Sequence, residues 1–149
     1  MRIFAKNRRA FFDYQIIEKY EAGIELFGFE VKSIKNGKIS LRGSFVIESR
    51  GEIYLLNASI SPYQPKNTPK EYEPTRRRKL LLKKKEINTL IGKSKQQGLT
   101  LIPLRVYNKG YKIKIEIALA KSKKKFQKKE KKKERDIKRE MERETKENL

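Results

Sequence analysis

The sequence predicts a mainly β protein: a small antiparallel barrel with two or three short flanking helices and a basic C-terminal tail. The strongest observation is the run KIKIEI, which alternates strictly and places Ile113, Ile115 and Ile117 on one face of a strand. A second is that glycine-containing turns separate short apolar segments, which is typical of hairpins. A third is the loss of large apolar residues after Ala120, which separates a folded body from a tail.

The predicted elements of the first half are, in order, a basic arm (1–12), a strand (13–20), a short strand (Ile24–Phe27), a short helix (Phe29–Asn36) and a hairpin of two strands (44–50 and 52–57). Gly37 suits the left-handed position that follows a helix, and Gly51 suits the turn of the hairpin. In the short helix, Ile34 is expected to face the core, whereas Glu30 and Lys32 are expected to face outward. The segment therefore predicts a compact basic corner.

The predicted elements of the second half are a proline-rich loop (61–74), a helix (83–97) and a hairpin of two strands (99–107 and 111–120). The loop contains four prolines, and loops of such length tend to be functional or mobile. Ile87, Leu90 and Ile91 give the helix an apolar stripe. Pro103 indicates an edge or a bulge in its strand. Five or six short, mostly antiparallel strands favour an oligonucleotide-binding-like (OB-like) barrel.

The tail has only Phe126, Ile137, Met141 and Leu149 as large apolar residues. So few side chains cannot bury enough surface to offset the ordering of a chain, and we expect the tail to be disordered in the free protein. It contains no proline or glycine, and opposite charges four residues apart support a helix once a partner is present. The predicted domains are therefore a barrel over residues 1–120 and a tail over residues 121–149.

The charge of the chain predicts a polyanionic partner. Its 149 residues include 39 Lys and Arg against 18 Asp and Glu, a net charge of +21, which indicates nucleic acid or an anionic membrane surface. The tail holds 14 of the basic and 7 of the acidic residues, which leaves a net charge of +14 on the body. No apolar run is long enough to span a bilayer, and no secretory signal is present. We therefore expect a cytoplasmic protein.

Composition disfavours an enzyme and favours a nucleic-acid-binding protein. The chain has no His and no Cys, which removes the most common catalytic bases, nucleophiles and metal ligands, and no glycine-rich phosphate loop appears. Aromatic residues that can stack on bases lie among basic ones, from Phe11 to Phe29 and again at Phe126. The run TRRRK (75–79) offers guanidinium groups, whose planar geometry suits phosphate.

The string GIELFGFEVKSIKNGKISL (23–41) resembles the signature of the small protein B, or SsrA-binding protein, family of bacterial ribosome rescue. Further blocks similar to that family follow in the same order, among them EIYLLNASISPY, RRRKLLLKKKEINTLIGK and GLTLIPLRVYNK. The resemblance implies an OB-like barrel that binds the tRNA-like domain of transfer-messenger RNA (tmRNA) and delivers it to stalled ribosomes for trans-translation. It also implies a tail that is unfolded when free and becomes helical in the empty mRNA channel near the decoding centre.

The resemblance implies tmRNA contacts by Asn7, Glu21 and Leu81, and positive charge adds five neighbouring positions: Lys32, Arg76, Arg77, Arg78 and Lys79. In the tail, the family pattern implies ribosome contacts at six positions: Lys123, Lys124, Phe126, Lys128, Lys129 and Arg135. The tail departs from the family pattern at Ser122, Gln127 and Lys129, which stand where the family has glycine, aspartate and arginine.

The implied partners are tmRNA and the ribosome, with alanyl-tRNA synthetase and elongation factor Tu reached indirectly through tmRNA; no cofactor, metal or membrane is implied. Composition alone leaves two other classes open. A ribosomal protein would place the basic barrel and its extension permanently in ribosomal RNA. A tail bound to an anionic membrane surface is the weaker alternative, because the tail has few bulky apolar residues for insertion.

Overall fold

The computed structural model describes residues 1–96, 98–123 and 127–147. Its elements are β1 (Ile3–Lys6), α1 (Ala10–Asp13), β2 (Tyr14–Ile24), α2 (Gly28–Lys35), β3 (Ile39–Ser40), β4 (Phe45–Ser49), β5 (Glu52–Leu56), β6 (Ser59–Ile60), β7 (Arg78–Leu81), α3 (Lys84–Ser94), β8 (Leu99–Lys109), β9 (Lys112–Ser122) and α4 (Gln127–Glu147). None of the helices in these residues is long and apolar enough to cross a membrane.

The strands form a seven-stranded antiparallel sheet in the order β1-β8-β9-β2-β7-β5-β4, and β3 pairs with β6 in a second, two-stranded sheet. The predicted mainly antiparallel β class with short helices is confirmed. The large sheet curls, because β4 at one edge contacts β8 near the other edge. Among the described residues no ladder joins the edge strands β1 and β4, so the sheet is OB-like without being closed by hydrogen bonds.

The main core lies inside the curl of this sheet. Ile115 and Ile117 are fully buried there, as the alternation of KIKIEI predicts. Helices α2 and α3 contribute Ile34 and Leu90, which are also fully buried. A second, smaller apolar cluster lies on the opposite face of β8 and β9, under α1. The sheet is therefore covered on both faces near its centre.

Two predicted connections are confirmed by their backbone geometry. Gly37 follows α2 with φ +75°, and Gly51 lies in the β4–β5 turn with φ +79°. Both values fall in the left-handed region, where a side chain is strained. The bulge predicted at Pro103 is also present, because the register of β8 against β9 shifts between Pro103 and Arg105.

Three parts of the large sheet differ from the sequence prediction. The two short strands expected between residues 13 and 27 are one continuous strand, β2, because β9 pairs with it from Tyr14 to Gly23. The basic run that precedes α3 contains an additional strand, β7, which pairs with both β2 and β5. The predicted basic arm (1–12) contains a strand, β1, which pairs with β8.

The C-terminal tail is described over residues 121–123 and 127–147. The described part forms a helix, α4, which lies against β4. The body supplies the apolar surface that the tail lacks, because Met141 is buried among apolar side chains of β4 and β5. Strand β9 continues to Ser122, so the change from body to tail falls two residues after the expected boundary.

A buried ion cluster centred on Glu30 ties α2 to the segment before and within β7. Glu30 and Arg78 are both completely buried, and their side chains lie 2.5 Å apart. Arg76 also binds the Glu30 carboxylate, and the Phe27 amide donates to Glu30 Oε1 at 2.9 Å. The Tyr72 hydroxyl lies 2.9 Å from Glu30 Oε2. The expectation that Glu30 faces outward was wrong, because β7 brings two guanidinium groups over it.

The cluster keeps its carboxylate ionised. Burial by itself would raise the pKa of Glu30, but hydrogen bonds from Arg76, the Phe27 amide and Arg78 outweigh it and hold the pKa below the usual 4.5. Burial and the contact with Glu30 raise the pKa of Tyr72 to about 12. The charges of the cluster therefore persist throughout the neutral range.

We expect the Glu30→Ala substitution to destabilise the fold by about 3–5 kcal/mol, because it leaves the buried Arg78 without its counter-charge. Urea unfolding of the full chain measures the change. The matched control is Arg77→Ala, which removes an exposed ion pair to Glu144 and should cost less than about 1 kcal/mol. Equal losses in the two variants would contradict a special role for the buried pair.

The depressed pKa of Glu30 also predicts an acid dependence of stability. A carboxyl group with a lower pKa in the folded state stabilises the fold above its unfolded pKa, and this contribution is lost as the pH falls through the folded pKa. We therefore expect the unfolding free energy of the chain to fall below pH 4.5, with a shallower fall in Glu30→Gln. Urea unfolding at a series of pH values tests this, and identical acid slopes would contradict it.

Candidate nucleic-acid interface

Glu21 and Leu81 lie together on the outer face of the large sheet. Leu81 pairs with Gly23 across the β2–β7 ladder, and Glu21 is two residues from Gly23, so both side chains emerge on the same face. A Cβ atom at Gly23 would lie 3.2 Å from the Leu81 Cβ, so the glycine makes room for the leucine. Leu81 is 50% exposed. The two residues therefore present an acceptor and an apolar surface side by side.

The Glu21 carboxylate is held by two side chains of β8. The Tyr107 hydroxyl donates to Glu21 Oε2 at 2.5 Å, and Lys109 Nζ donates to Oε1 at 3.2 Å. The Tyr107 bond is the main reason that the pKa of Glu21 lies below its usual value, with a further contribution from Lys109. Burial and the contact with Glu21 raise the pKa of Tyr107. Glu21 is thus a fixed, ionised acceptor on the outer face of the sheet.

Sequence reasoning missed the residues that support Glu21. Arg105 pairs with Glu116 at 3.2 Å, and its guanidinium carbon lies 4.9 Å from the centre of the Tyr107 ring. Glu116 is directly opposite Glu21 in the β2–β9 ladder. The sequence did contain a pattern that could have indicated these residues. Arg105, Tyr107 and Lys109 alternate along β8, and this spacing places all three on one face of the strand.

Asn7 anchors the end of β1 to the bulge in β8. Its backbone amide donates to the Leu104 carbonyl at 2.7 Å, and its side-chain amide donates to the Pro103 carbonyl at 2.8 Å. The neighbouring Lys6 pairs with Arg105 in the ladder. Asn7 is half-buried, so the structure gives it a positioning role beside the outer face.

A second basic and aromatic region lies around the N-terminus of α2. Phe27 is 50% exposed, the Arg76 guanidinium carbon is 4.1 Å from its ring centre, and Phe29 stacks on it at 5.5 Å. Lys32 is exposed, and its Nζ lies 5.9 Å from the centre of the Tyr63 ring. This region offers aromatic surface and positive charge of the kind that binds RNA.

The three arginines of the predicted RNA-binding run have different environments. Arg76 is partly buried on Glu30, and Arg77 is exposed and pairs with Glu144 of α4 at 3.1 Å. The expectation for Arg78 is corrected: its guanidinium is completely buried and donates only to protein acceptors in the described residues. Lys79 lies 3.6 Å from Glu52 and is partly exposed. Lys79 and Arg77 are therefore the accessible members of the run.

The predicted tail residues fall partly beyond what the structure describes. Lys123 is exposed, and its backbone amide donates to the Asp13 carbonyl at 2.9 Å. Arg135 is exposed on α4. Four predicted contacts lie outside the described residues or side chains: Lys124, Phe126, Lys128 and Lys129. Across the described chain no group of three or more acidic residues is arranged to hold a metal ion.

We expect Tyr107→Phe to raise the pKa of Glu21 toward its usual 4.5, because it removes the hydrogen bond that contributes most to lowering it. Carboxyl-carbon NMR of the labelled chain measures this titration. Lys109→Ala is the matched comparison and should have a smaller effect, since Lys109 is largely exposed. An unchanged Glu21 pKa in Tyr107→Phe would show that the bond does not order this carboxylate.

Comparison with known proteins gives consistent matches. The SsrA-binding protein of Sulfurihydrogenibium sp. (strain YO3AOP1) is 54% identical over 125 residues, which cover 84% of this chain and 82% of that protein. The SsrA-binding protein of Carboxydothermus hydrogenoformans is 54% identical over 123 residues, which cover 83% of this chain and 82% of that protein. A solved chain from "tmRNA-SmpB: a journey to the center of the bacterial ribosome" matches with a TM-score of 0.64 and 49% identity, covering 79% of this chain and 82% of that one.

The model of the family described as "SmpB protein" matches residues 4–147, a range that includes the outer face of the sheet, the region around the N-terminus of α2 and helix α4. With these identities over most of both lengths, the chain belongs to the SmpB family.

Proposed function

We propose that the chain binds the tRNA-like domain of tmRNA and delivers it to stalled ribosomes for trans-translation, in which incomplete proteins are tagged for degradation. Membership of the SmpB family carries this proposal, together with the names of relatives as SsrA-binding proteins and of a similar solved chain as part of tmRNA-SmpB on the bacterial ribosome. The outer face of the sheet supports it, because the fixed acceptor Glu21, the exposed Leu81 and the exposed cation Lys109 lie together there. The region around the N-terminus of α2 adds the exposed Phe27 and Lys32.

In this proposal the body, residues 1–120, carries the tmRNA site. Glu21 accepts hydrogen bonds from base edges or ribose hydroxyls, and its fixed geometry favours one orientation of the RNA. Leu81 supplies an apolar contact beside it, with Asn7 ordering the adjacent arm. Four cations contact phosphates of the RNA: Lys32, Arg76, Arg77 and Lys79. These contacts increase the affinity and position the RNA, but they do not read its sequence. Arg78 supports these groups from within the core.

The tail, residues 121–149, is assigned to the ribosome, where it senses the empty mRNA channel near the decoding centre. Its exposed cations, including Lys123 and Arg135, suit ribosomal RNA. We assign the same role to four tail residues: Lys124, Phe126, Lys128 and Lys129. The protein acts in the cytoplasm, with alanyl-tRNA synthetase and elongation factor Tu joined through tmRNA. It acts by binding, without catalysis, so tmRNA should remain uncleaved with and without Mg²⁺.

A salt titration of tmRNA binding tests the body site, because at low salt a chain of net charge +21 binds any RNA. We expect Leu81→Ala to weaken tmRNA binding by about tenfold or more while leaving the salt dependence unchanged, since no charge is lost. Lys79→Ala is the matched variant and should reduce the salt slope by about 1. A folded RNA of equal length is the control.

If tmRNA and the control RNA dissociate at the same salt concentration, charge alone accounts for binding and the tmRNA proposal fails. Salt-resistant association with all ribosomes, stalled or not, would instead support a ribosomal protein. Truncation after Lys123 keeps strand β9 intact and removes the rest of the tail. The truncated protein should bind tmRNA normally and fail to support tagging of stalled products.

A further inference from the structure

Helix α1 presents two exposed phenylalanines that the fold does not bury. Phe12 is 76% exposed and Phe11 is 45% exposed. The helix itself is firmly attached, because Ala10 is buried in the apolar cluster on β8 and β9. The Asp13 carbonyl also accepts a hydrogen bond from the Lys123 amide at 2.9 Å. An anchored backbone therefore holds this aromatic pair, Phe11 and Phe12, at the surface, which suits a contact with a partner.

A cationic cleft lies beside these rings, between the N-terminal arm and the turn that joins β3 to β4. Its volume is about 390 Å³, within the roughly 300–1,000 Å³ of ligand pockets. Four cations line it: Lys6, Arg8, Arg9 and Arg42. None of the described residues that line the cleft is acidic. Among the side chains that the structure describes, no carboxylate pairs with these four cations, whereas Arg76, Arg77 and Arg105 are all paired. The cleft therefore favours an anion.

The turn on the far side of the cleft is ordered by its own hydrogen bonds. The Arg42 amide donates to the Ser40 hydroxyl at 3.2 Å, and the Ser44 amide donates to the Leu41 carbonyl at 3.0 Å. Leu41 is buried in the main core, and Gly43 has φ +72°, which lets the chain turn sharply. The backbone at Arg42 thus has a fixed position opposite the arm, so the cleft is formed before an anion binds.

Lys6 joins the cationic cleft to both the aromatic pair and the outer face. Its Nζ lies 5.4 Å from the centre of the Phe11 ring, a distance at which a cation is attracted to the ring face. Lys6 is also opposite Arg105 in the β1–β8 ladder, so both side chains emerge on the outer face. Arg105 lies against Tyr107, which holds Glu21. An RNA strand at Glu21 can therefore extend along this face to the cleft.

We propose that the aromatic pair and the cationic cleft form a second RNA subsite, which takes an unpaired nucleotide. The base stacks on the exposed Phe12 ring, and the neighbouring phosphates bind the cations of the cleft. A base can stack on a protein ring once it is unpaired and turned out of its own helix. The subsite therefore selects a loop or a single strand, which phosphate contacts alone cannot do. This inference rests on the proposed function, because it extends the tmRNA site along the outer face.

The absence of tryptophan from the chain provides a direct test. Phe12→Trp in the full-length chain introduces one indole, whose fluorescence is quenched when a base stacks on it. The control variant is Thr89→Trp. Thr89 is exposed on α3, and α3 packs inside the curl of the sheet through Ile87 and Leu90, so this position lies away from the outer face. The probes are a short single-stranded RNA, a duplex RNA of the same sequence, and tmRNA.

We expect the single strand and tmRNA to quench Phe12→Trp strongly and the duplex to quench it weakly, whereas Thr89→Trp should respond to none of them. Phe12→Ala should weaken binding of the single strand by about tenfold, the loss expected for one stacked base. Binding of the duplex to Phe12→Ala should change by less than about twofold, because its phosphate contacts remain. Arg42→Ala should reduce the salt slope of single-strand binding by about 0.7. Because Phe12 is largely exposed, urea unfolding should show its variants to be as stable as the unmodified chain.

Three results would overturn the subsite. The first is equal quenching of Phe12→Trp by the single strand and the duplex. The second is unchanged single-strand binding in both Phe12→Ala and Phe11→Ala. The third is quenching of Phe12→Trp by phosphatidylglycerol vesicles and by no RNA, which would assign the rings to an anionic membrane surface.

The subsite and the proposed function fail in different ways. If the unmodified chain does not bind tmRNA selectively, the proposed function fails, whatever the fluorescence of Phe12→Trp. If the unmodified chain binds tmRNA selectively and tmRNA leaves Phe12→Trp unquenched, only the inference of a second subsite fails.

Discussion

The buried pair of Glu30 and Arg78 is the interaction on which the outer face depends. It connects α2 to β7, and β7 in turn links β2 to β5. A charge pair of this kind is costly to bury and tolerates few alternative arrangements. We suggest that its value is specificity of position, because the hydrogen bonds of one carboxylate fix Arg76 beside Phe27 and set the start of the strand that carries Leu81.

The outer face combines groups that have opposite electrostatic preferences. Lysines and arginines attract any polyanion, whereas an ionised Glu21 repels phosphate and accepts hydrogen bonds from donors on bases or riboses. Because Tyr107 and Lys109 hold this carboxylate in place, it cannot rotate away from an approaching RNA. In the proposed tmRNA site, a fixed acidic group among cations would favour one RNA geometry over the many that charge alone would bind.

Local patterns predicted the parts of the fold that local physics determines. The alternation of Ile113, Ile115 and Ile117, the turn at Gly51 and the bulge near Pro103 all followed from short-range rules. Partners distant in sequence were missed. Helical periodicity places Glu30 on the surface, because the two arginines that cover it are distant in sequence. Tyr107 was missed as the partner of Glu21 for the same reason, although the family resemblance had indicated Glu21 itself.

The pairing of β1 with β8 has a consequence for the order in which the protein becomes competent during synthesis. Asn7 finds its partners at Pro103 and Leu104, and Glu21 finds its partner at Tyr107. Such distant pairings form late and slowly. A nascent chain therefore carries its basic N-terminal arm and Glu21 for most of its translation without the β8 residues that position them. If these residues act as proposed, discrimination between RNAs begins only when the last hairpin has left the ribosome that makes the chain.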